Sequence, residues 1–416
     1  MDRERPQHRR LIRILGGAVF AVFLLLALRY REIYNFVTTT PSAGAPPAAS
    51  PLQAATAPPI PQRAAIAPRS NPGQSPAAGR AGADLVEICG HGRVELDVDD
   101  PQGYKYVGAL SRPATARWLA ALTASDDARA RAAGLMLSPL VGIIDAPAIP
   151  DARNALARSA LGSSDPAVYA LALSFCRLGS PDLSNGPCVQ LSPREWSELD
   201  PTNGVPWLLL AAAAHTAKDA VAEADAFRHV ATAQQFETYT NSLLAFAQPS
   251  MPDDATPAER EYLAISTIGI EAAAMIPYPE VLRYCSKEAL QNPRVRGQCE
   301  QVAETLVDKG TTILDLAEGK ATGARLGWPE ERLSRISQYI DALLQIEMST
   351  SVPGAAMWNC ENTTIANRFL NARSQLGERG AANEALLQSG RTPDELALQW
   401  RDYMNEMRSK AAAEAP

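Results

Sequence analysis

The chain lacks the short motifs that mark most known catalytic centres. Its 416 residues contain no Gly-x-Ser-x-Gly turn, no His-Glu-x-x-His pair and no complete phosphate-binding loop. The end of such a loop occurs at Gly319-Lys320-Ala321-Thr322, but Leu314 stands where its first glycine is required. There is no Cys-x-x-Cys, which excludes a thioredoxin-like site and the usual cysteine spacing of zinc sites. The sequence therefore specifies no reaction class.

Histidine is scarce, and the chain has only His8, His91, His215 and His229. His91 lies in a glycine-rich turn beside Cys89, where it could act as a ligand or a base, although a turn residue next to a disulfide is the ordinary interpretation. His215 and His229 fall in neighbouring predicted helices, with Glu223 and Asp225 as candidate carboxylates for a metal. Polar residues on a helical surface explain these four side chains more simply. We predict neither a metal nor a cofactor.

Positive charge is also scarce in most of the chain. The net charge is −7, but residues 1–80 carry ten arginines and three acidic residues. Residues 81–416 therefore hold 29 basic and 43 acidic residues, a net charge of −14. Binding to phosphate backbones needs a concentrated basic face. The composition thus argues against nucleic acid as a partner.

The longest apolar run extends from Leu11 to Leu28 and contains one charge, Arg13. Its length is just sufficient to span a bilayer. No small-residue cleavage site follows it, so we expect a retained signal anchor; a cleaved signal peptide and a buried helix are the alternatives. Arginines are more numerous before the run than after it. This bias predicts a cytoplasmic tail at residues 1–10 and places the rest of the chain outside the bacterial inner membrane, in the periplasm.

A linker rich in proline and alanine follows, at residues 41–82. It holds 10 prolines and 13 alanines, and its only large aliphatic residues are Leu52, Ile60 and Ile66. Such a segment cannot bury enough apolar surface to offset the entropy lost on ordering. We expect a disordered spacer that tethers a folded domain, residues 83–416, to the membrane.

All six cysteines lie in this folded region, and an even number fits an oxidising compartment. Six cysteines allow 15 connectivities, so the pairing is a prediction from local spacing. Cys285 and Cys299 flank a helix stop at Asn292-Pro293, and Cys176 and Cys188 flank a turn-rich segment. The remaining pair would be Cys89 with Cys360.

The folded region is predicted to be mainly α-helical after about residue 113, because apolar residues recur at helical spacing and several helix starts carry a capping residue before proline. The predicted helices are Ala114–Thr123, Asp126–Leu137, Asp151–Leu161, Pro166–Leu178, Val205–Ala217, Ala220–Ala233, Phe236–Phe246, Pro257–Met275, Pro279–Leu290, Pro293–Leu316, Pro329–Glu347, Thr363–Leu376, Ala381–Leu387 and Pro393–Met407. The exception is Leu85 to Val107, which is predicted to be extended or irregular. Three Asp-containing turns, at Asp126, Asp165 and Asp200, are spaced 39 and 35 residues apart, as in helix-pair repeats.

Residues 200–231 have the packing pattern of such a repeat. The turn reads Asp-Pro-Thr-Asn, and the side chains at its large and small packing positions are Trp207, Leu210, Ala211, Ala214 and Phe227. The stretch resembles a tetratricopeptide repeat, although Glu223 stands where a small residue is expected. The resemblance implies a helical-hairpin, solenoid-like domain with a concave surface that binds peptide or protein. An irregular helical domain in which Asp-Pro only caps helices is the alternative.

These features lead us to expect a membrane-anchored periplasmic protein that binds a protein or peptide of the envelope, rather than an enzyme. The alternatives are a cell-envelope hydrolase of unrecognised type and a structural component of an envelope machine. The sequence does not identify the partner.

Overall fold

The computed structural model describes residues 85–96, 100, 102–138, 140, 152–178, 186–274, 278–350 and 354–413. Within these ranges the protein is mainly helical and has one small two-stranded sheet. The predicted tail (1–10), anchor (Leu11–Leu28) and linker (41–82) lie outside the described residues. Inside them, no helix combines the length and apolar character that crossing a bilayer demands.

The described elements begin with an antiparallel hairpin, β1 (Leu85–Ile88) and β2 (Gly92–Glu95), in which Val86 pairs with Val94. Helices connected by turns and short 3₁₀ segments follow. They are α1 (Tyr104–Leu110), α2 (Arg112–Thr123), α3 (Ala128–Met136), α4 (Ala152–Leu161), α5 (Pro166–Arg177), α6 (Pro193–Leu199), α7 (Gly204–Thr216), α8 (Ala220–Ala231), α9 (Leu243–Ala247), α10 (Pro257–Ala273), α11 (Pro279–Tyr284), α12 (Pro293–Lys309), α13 (Ile313–Leu326), α14 (Glu330–Thr350), α15 (Cys360–Ser389) and α16 (Pro393–Ala413).

Most predicted helices are present, with their capping residues in place. Asp165 accepts a hydrogen bond from the Ala167 amide at the start of α5. At the start of α10, Thr256 and Glu259 form a capping box. Such caps satisfy amide groups that a helix start leaves without a partner. The side chain before proline therefore fixes where these helices begin.

Several local predictions were wrong. The predicted helix Pro293–Leu316 is two helices, α12 and α13, that are separated near Gly310, and no helix was predicted at α6. The segment from Leu85 to Val107, predicted to be extended or irregular, forms a β-hairpin as far as Glu95. Helix α1 then begins at Tyr104. The buried Asp100 carboxylate supports this helix start by accepting the Tyr106 amide at 2.9 Å.

The predicted helix Phe236–Phe246 is helical only in its second half, beginning with a 3₁₀ turn at Thr240–Ser242. In this segment a tertiary hydrogen bond, from Asn203 to the Glu237 carbonyl, overrides helix propensity.

The tetratricopeptide-like segment forms a helical hairpin, α7 and α8, as the resemblance predicts. The Asp-led turns are not equivalent, however. Asp127 and Asp165 cap the helices that follow them. In the third turn Asn203 caps α7 instead, and the buried Asp200 carboxylate accepts a hydrogen bond from the Asn203 side chain. The sequence period therefore does not correspond to one repeated helix pair.

Three disulfides join the cysteine pairs that the spacing indicates. Cys176–Cys188 connects the end of α5 to a 3₁₀ turn, and Cys285–Cys299 connects the end of α11 to α12. Cys89–Cys360 joins the β-hairpin to the start of α15 across a sequence separation of 271 residues. No cysteine is free, and all six lie within the described residues. Cross-links of this kind stabilise a fold mainly by restricting the unfolded chain.

The core is one large helical cluster, a smaller cluster beneath the β-hairpin and a minor third cluster of Leu244, Ala264 and Leu370. In the smaller cluster, the fully buried Trp358 indole donates to the Gln102 carbonyl at 2.7 Å. The Cys89 amide donates to the Trp358 carbonyl at 2.8 Å. These contacts hold the hairpin and Gln102, which precedes α1, against the 3₁₀ turn Ala355–Trp358 that precedes α15.

Close helix packing predicts opposite effects for the same substitution at two helical glycines. A Cβ at Gly323 in α13 would overlap the Trp328 indole, whereas a Cβ at Gly297 in α12 meets nothing within 4 Å. We expect Gly323→Ala to lower the free energy of unfolding by about 1–3 kcal/mol through overpacking. Gly297→Ala should leave it unchanged or raise it by up to about 1 kcal/mol through helix propensity. Urea denaturation of the two variants measures this difference, and equal stability of both would contradict the described packing.

Candidate functional site

The α7–α8 hairpin presents one wall of a groove. Trp207 of α7 stacks on His229 of α8, with ring centroids 3.8 Å apart and planes inclined by 9°. The hairpin is closed by Asp219, whose carboxylate accepts the Val221 and Ala222 amides at the start of α8. His229 is consequently held in position on the outer surface of the hairpin.

Helix α12 forms the facing wall. Asn292 caps its first turn by accepting the Arg294 amide at 3.0 Å. Gln298 and Gln301 are three residues apart and therefore lie on the same face of the helix. Gln298 is partly buried, and Gln301 is exposed. Both amide side chains face the groove.

Tyr284, at the end of α11, connects the two walls. Its ring stacks on the buried Phe227 of α8, with centroids 3.6 Å apart. Its hydroxyl donates to Gln298 Oε1 at 3.0 Å. The residues adjoining Tyr284 and Gln298 are Cys285 and Cys299, which form a disulfide. The cross-link thus fixes the position of Tyr284 relative to α12 and, through Phe227, the spacing of the walls.

The groove between the walls has a volume of about 350 Å³. Its lining consists of Arg228, His229, Ala231, Thr232, Gln298 and Gln301. Arg228 also pairs with Asp225 one helical turn earlier. Most of its side chains carry polar groups, yet apolar atoms form most of the surface that they present to the groove, which is open to solvent.

The side chains weighed from the sequence as possible metal ligands, at His215 and His229, do not come together. His215 Nδ1 lies 3.5 Å from Glu223, and Glu223 also pairs with Arg283 at 2.6 Å. His229 stacks on Trp207 instead. Within the described ranges, no group of three or more His, Cys, Asp or Glu side chains could hold a metal ion.

His91 connects the β-hairpin to helix α10. Its Nε2 lies 3.2 Å from the Thr256 hydroxyl oxygen and 3.7 Å from Glu259 Oε1. The same hydroxyl oxygen accepts the Glu259 amide in the capping box. A histidine beside a hydroxyl is one element of nucleophilic catalysis. Here both partners belong to a helix cap, so the arrangement has an evident structural role next to the Cys89–Cys360 disulfide.

A second group of polar side chains lies inside the domain and was missed at the level of sequence. Arg373 of α15 lies 3.4–3.5 Å from the carboxylates of Glu271, Glu347 and Glu378. Glu271 also accepts the Leu244 amide at 2.9 Å. The available signal was helical spacing, because Glu271 follows the buried Leu263 and Thr267 on the same face of α10.

Burial shifts the pKa of Glu271 and of two interior acids outside this group, Glu261 on α10 and Glu318 on α13. It raises the pKa of Glu261 and of Glu318 to about 8. It also raises the pKa of Glu271 to about 7, although Arg373 opposes the shift. Glu261 and Glu318 each have a buried carboxylate oxygen without a hydrogen-bond partner in the described structure. Desolvation of this kind favours the neutral acid.

Comparison with models of protein families, with curated proteins and with solved structures finds no match to this chain.

The raised pKa values predict that the domain loses stability as the pH rises. These carboxyls bind protons more tightly in the folded state, so their contribution is fully present below about pH 4.5 and is lost as the pH rises through about 8. The variant Glu261→Gln removes one such group. We expect it to reduce the loss of unfolding free energy between pH 5 and pH 8 by on the order of 2 kcal/mol. Denaturation curves at both pH values provide the measurement.

The matched control is Glu331→Gln, which makes the same change at an exposed carboxylate on α14. Its pH dependence should equal that of the unmodified protein. An unchanged pH dependence in Glu261→Gln would show that Glu261 is charged in the folded state.

Proposed function

We propose that the protein is a membrane-anchored periplasmic helical protein that binds a protein or peptide partner of the bacterial envelope, and that the groove between α8 and α12 is its binding site. The observation that carries the proposal is the groove itself, with its volume of about 350 Å³ and the polar groups of the side chains that line it. The hairpin forming one wall is the segment that resembles a tetratricopeptide repeat. The resemblance implies a domain that binds peptide or protein.

The chemistry of the lining fits a peptide main chain. A glutamine side chain has an oxygen that accepts from a peptide N–H and an NH₂ group that donates to a peptide carbonyl. Gln298 and Gln301 present such groups one helical turn apart. We therefore infer an extended segment of the partner.

The location of the protein is supported by the sequence. The apolar run at Leu11–Leu28, the arginine bias before it and the linker at 41–82 support an inner-membrane anchor with a tethered periplasmic domain. Three disulfides support an oxidising compartment. The partner would then lie within reach of the tether.

The alternative of an envelope hydrolase has weaker support. Its best candidate pair, His91 with Thr256, is part of a helix cap, and the groove residues include no nucleophile paired with a base. A structural component of an envelope machine would still need a partner-binding surface, so the groove is the first surface to test for that role as well.

Site-specific photocrosslinking in intact cells tests the proposal. A photoreactive amino acid is introduced into the full-length protein at Thr232 or Gln301, both of which line the groove, or at the exposed Glu331 as the control. We expect one defined crosslinked species from the two groove positions and none of it from residue 331. The added variant Gln298→Ala should reduce its yield several-fold, because it removes one pairing group. The same species from all three positions, or none from the groove, would contradict the proposal.

A further inference from the structure

We propose that the ligand of the groove is an acidic peptide segment, whose carboxylate is bound by Arg228 and His229 while the two glutamines of α12 contact its main chain. This inference rests on the proposed function and specifies the chemistry of its ligand.

The first argument is the sign of the charges. Residues 81–416 carry a net charge of −14, yet the groove lining contains an arginine and a histidine side by side and no carboxylate. A carboxylate does lie near, since Arg228 pairs with Asp225. That pair is exposed, and a guanidinium has five N–H groups, so Arg228 retains donors for a second carboxylate. The groove is thus locally suited to an anion.

The second argument is the direction of the hydrogen-bonding groups. The Tyr284 hydroxyl donates to Gln298 Oε1, so the groove-facing capacity of Gln298 is its NH₂ group. Arg228 likewise offers only donors, and the His229 imidazole offers at least one. Donors therefore dominate the lining. A ligand rich in acceptors, such as a carboxylate next to peptide carbonyls, matches this arrangement.

The third argument is preorganisation. His229 is stacked on Trp207, and Gln298 is fixed by Tyr284 beside the Cys285–Cys299 disulfide. Thr232 donates its hydroxyl proton to the Arg228 and His229 carbonyls at 3.2 Å, so its oxygen remains as an acceptor for a ligand N–H. Side chains already held in place lose less entropy when a ligand binds. His229, Gln298 and Thr232 would therefore bind a short extended segment without rearrangement.

The experiment measures binding of three pentapeptides to the full-length protein in detergent, by titration calorimetry. The first is acetyl-Ala-Asp-Ala-Asp-Ala-amide, the second replaces both Asp residues with Asn, and the third is the Asn peptide with a free C-terminal carboxylate. The third peptide distinguishes a terminal carboxylate from side-chain carboxylates. We expect the Asp peptide to bind about fivefold or more tightly than the Asn amide, as charge-assisted hydrogen bonds outweigh neutral ones.

The variant Gln301→Glu places a carboxylate in the groove without changing the size of the side chain. We expect it to weaken binding of the Asp peptide about fivefold or more and to leave the Asn amide within about twofold. The control Gln399→Glu makes the same change on α16, at an exposed residue outside the groove lining, and should leave both affinities unchanged.

Three results would overturn the inference. Equal affinity for the Asp and Asn amides would show that the carboxylate is not recognised, while peptide binding in the groove would stand. Tight binding of the third peptide alone would assign the groove to a chain terminus rather than to an acidic segment. No binding of any peptide at millimolar concentration would also reject the inference, and crosslinking from Thr232 and Gln301 would then decide separately whether the groove binds a partner.

Discussion

The Cys285–Cys299 disulfide and the Tyr284 ring beside it are the constraint on which the candidate site depends. α11 and α12 are separate helices joined by a short turn, and the cross-link fixes their relative position. Tyr284 contacts both walls of the groove: its ring stacks on Phe227 of α8, and its hydroxyl donates to Gln298 of α12. The distance between the groove walls is therefore set by a covalent bond and one aromatic contact rather than by the flexible side chains of the lining.

Much of the fold follows from local signals. Capping residues before proline, such as Asp165 and Thr256, predict helix starts correctly because they act within a single helical turn. The short-range cysteine pairs are predictable for the same reason. The segments that were predicted wrongly, at Tyr104 and Phe236, contact distant residues, and the Tyr104 ring meets Trp358 edge to face. Asn203, for example, donates to the Glu237 carbonyl across 34 residues and holds that stretch out of a helix.

The candidate site was only half predictable. The sequence resemblance identified the α7–α8 hairpin. His229 was weighed as a metal ligand and interpreted as an ordinary polar surface residue, whereas its ring stacks on Trp207. The sequence of the opposite wall, α12, did not indicate a groove, because the pattern of glutamines on a helix surface is the same whether or not they face one. The buried acids around Arg373 were equally hidden, since burial depends on how α10, α14 and α15 pack together. The one sequence signal for them was the helical spacing on α10, which places Glu271 on the same face as the buried Leu263 and Thr267.

The most direct test of this account compares two disulfides that close loops of similar size. The sequence separations are 14 residues for Cys285–Cys299 and 12 for Cys176–Cys188, so replacing either pair by serine should cost a similar stability, about 3 kcal/mol. The measurement is the yield of partner crosslinked from Thr232 in each double variant, at a temperature where both are folded. The account predicts a large loss for the 285/299 variant and little change for the 176/188 variant. Equal yields from both would contradict it.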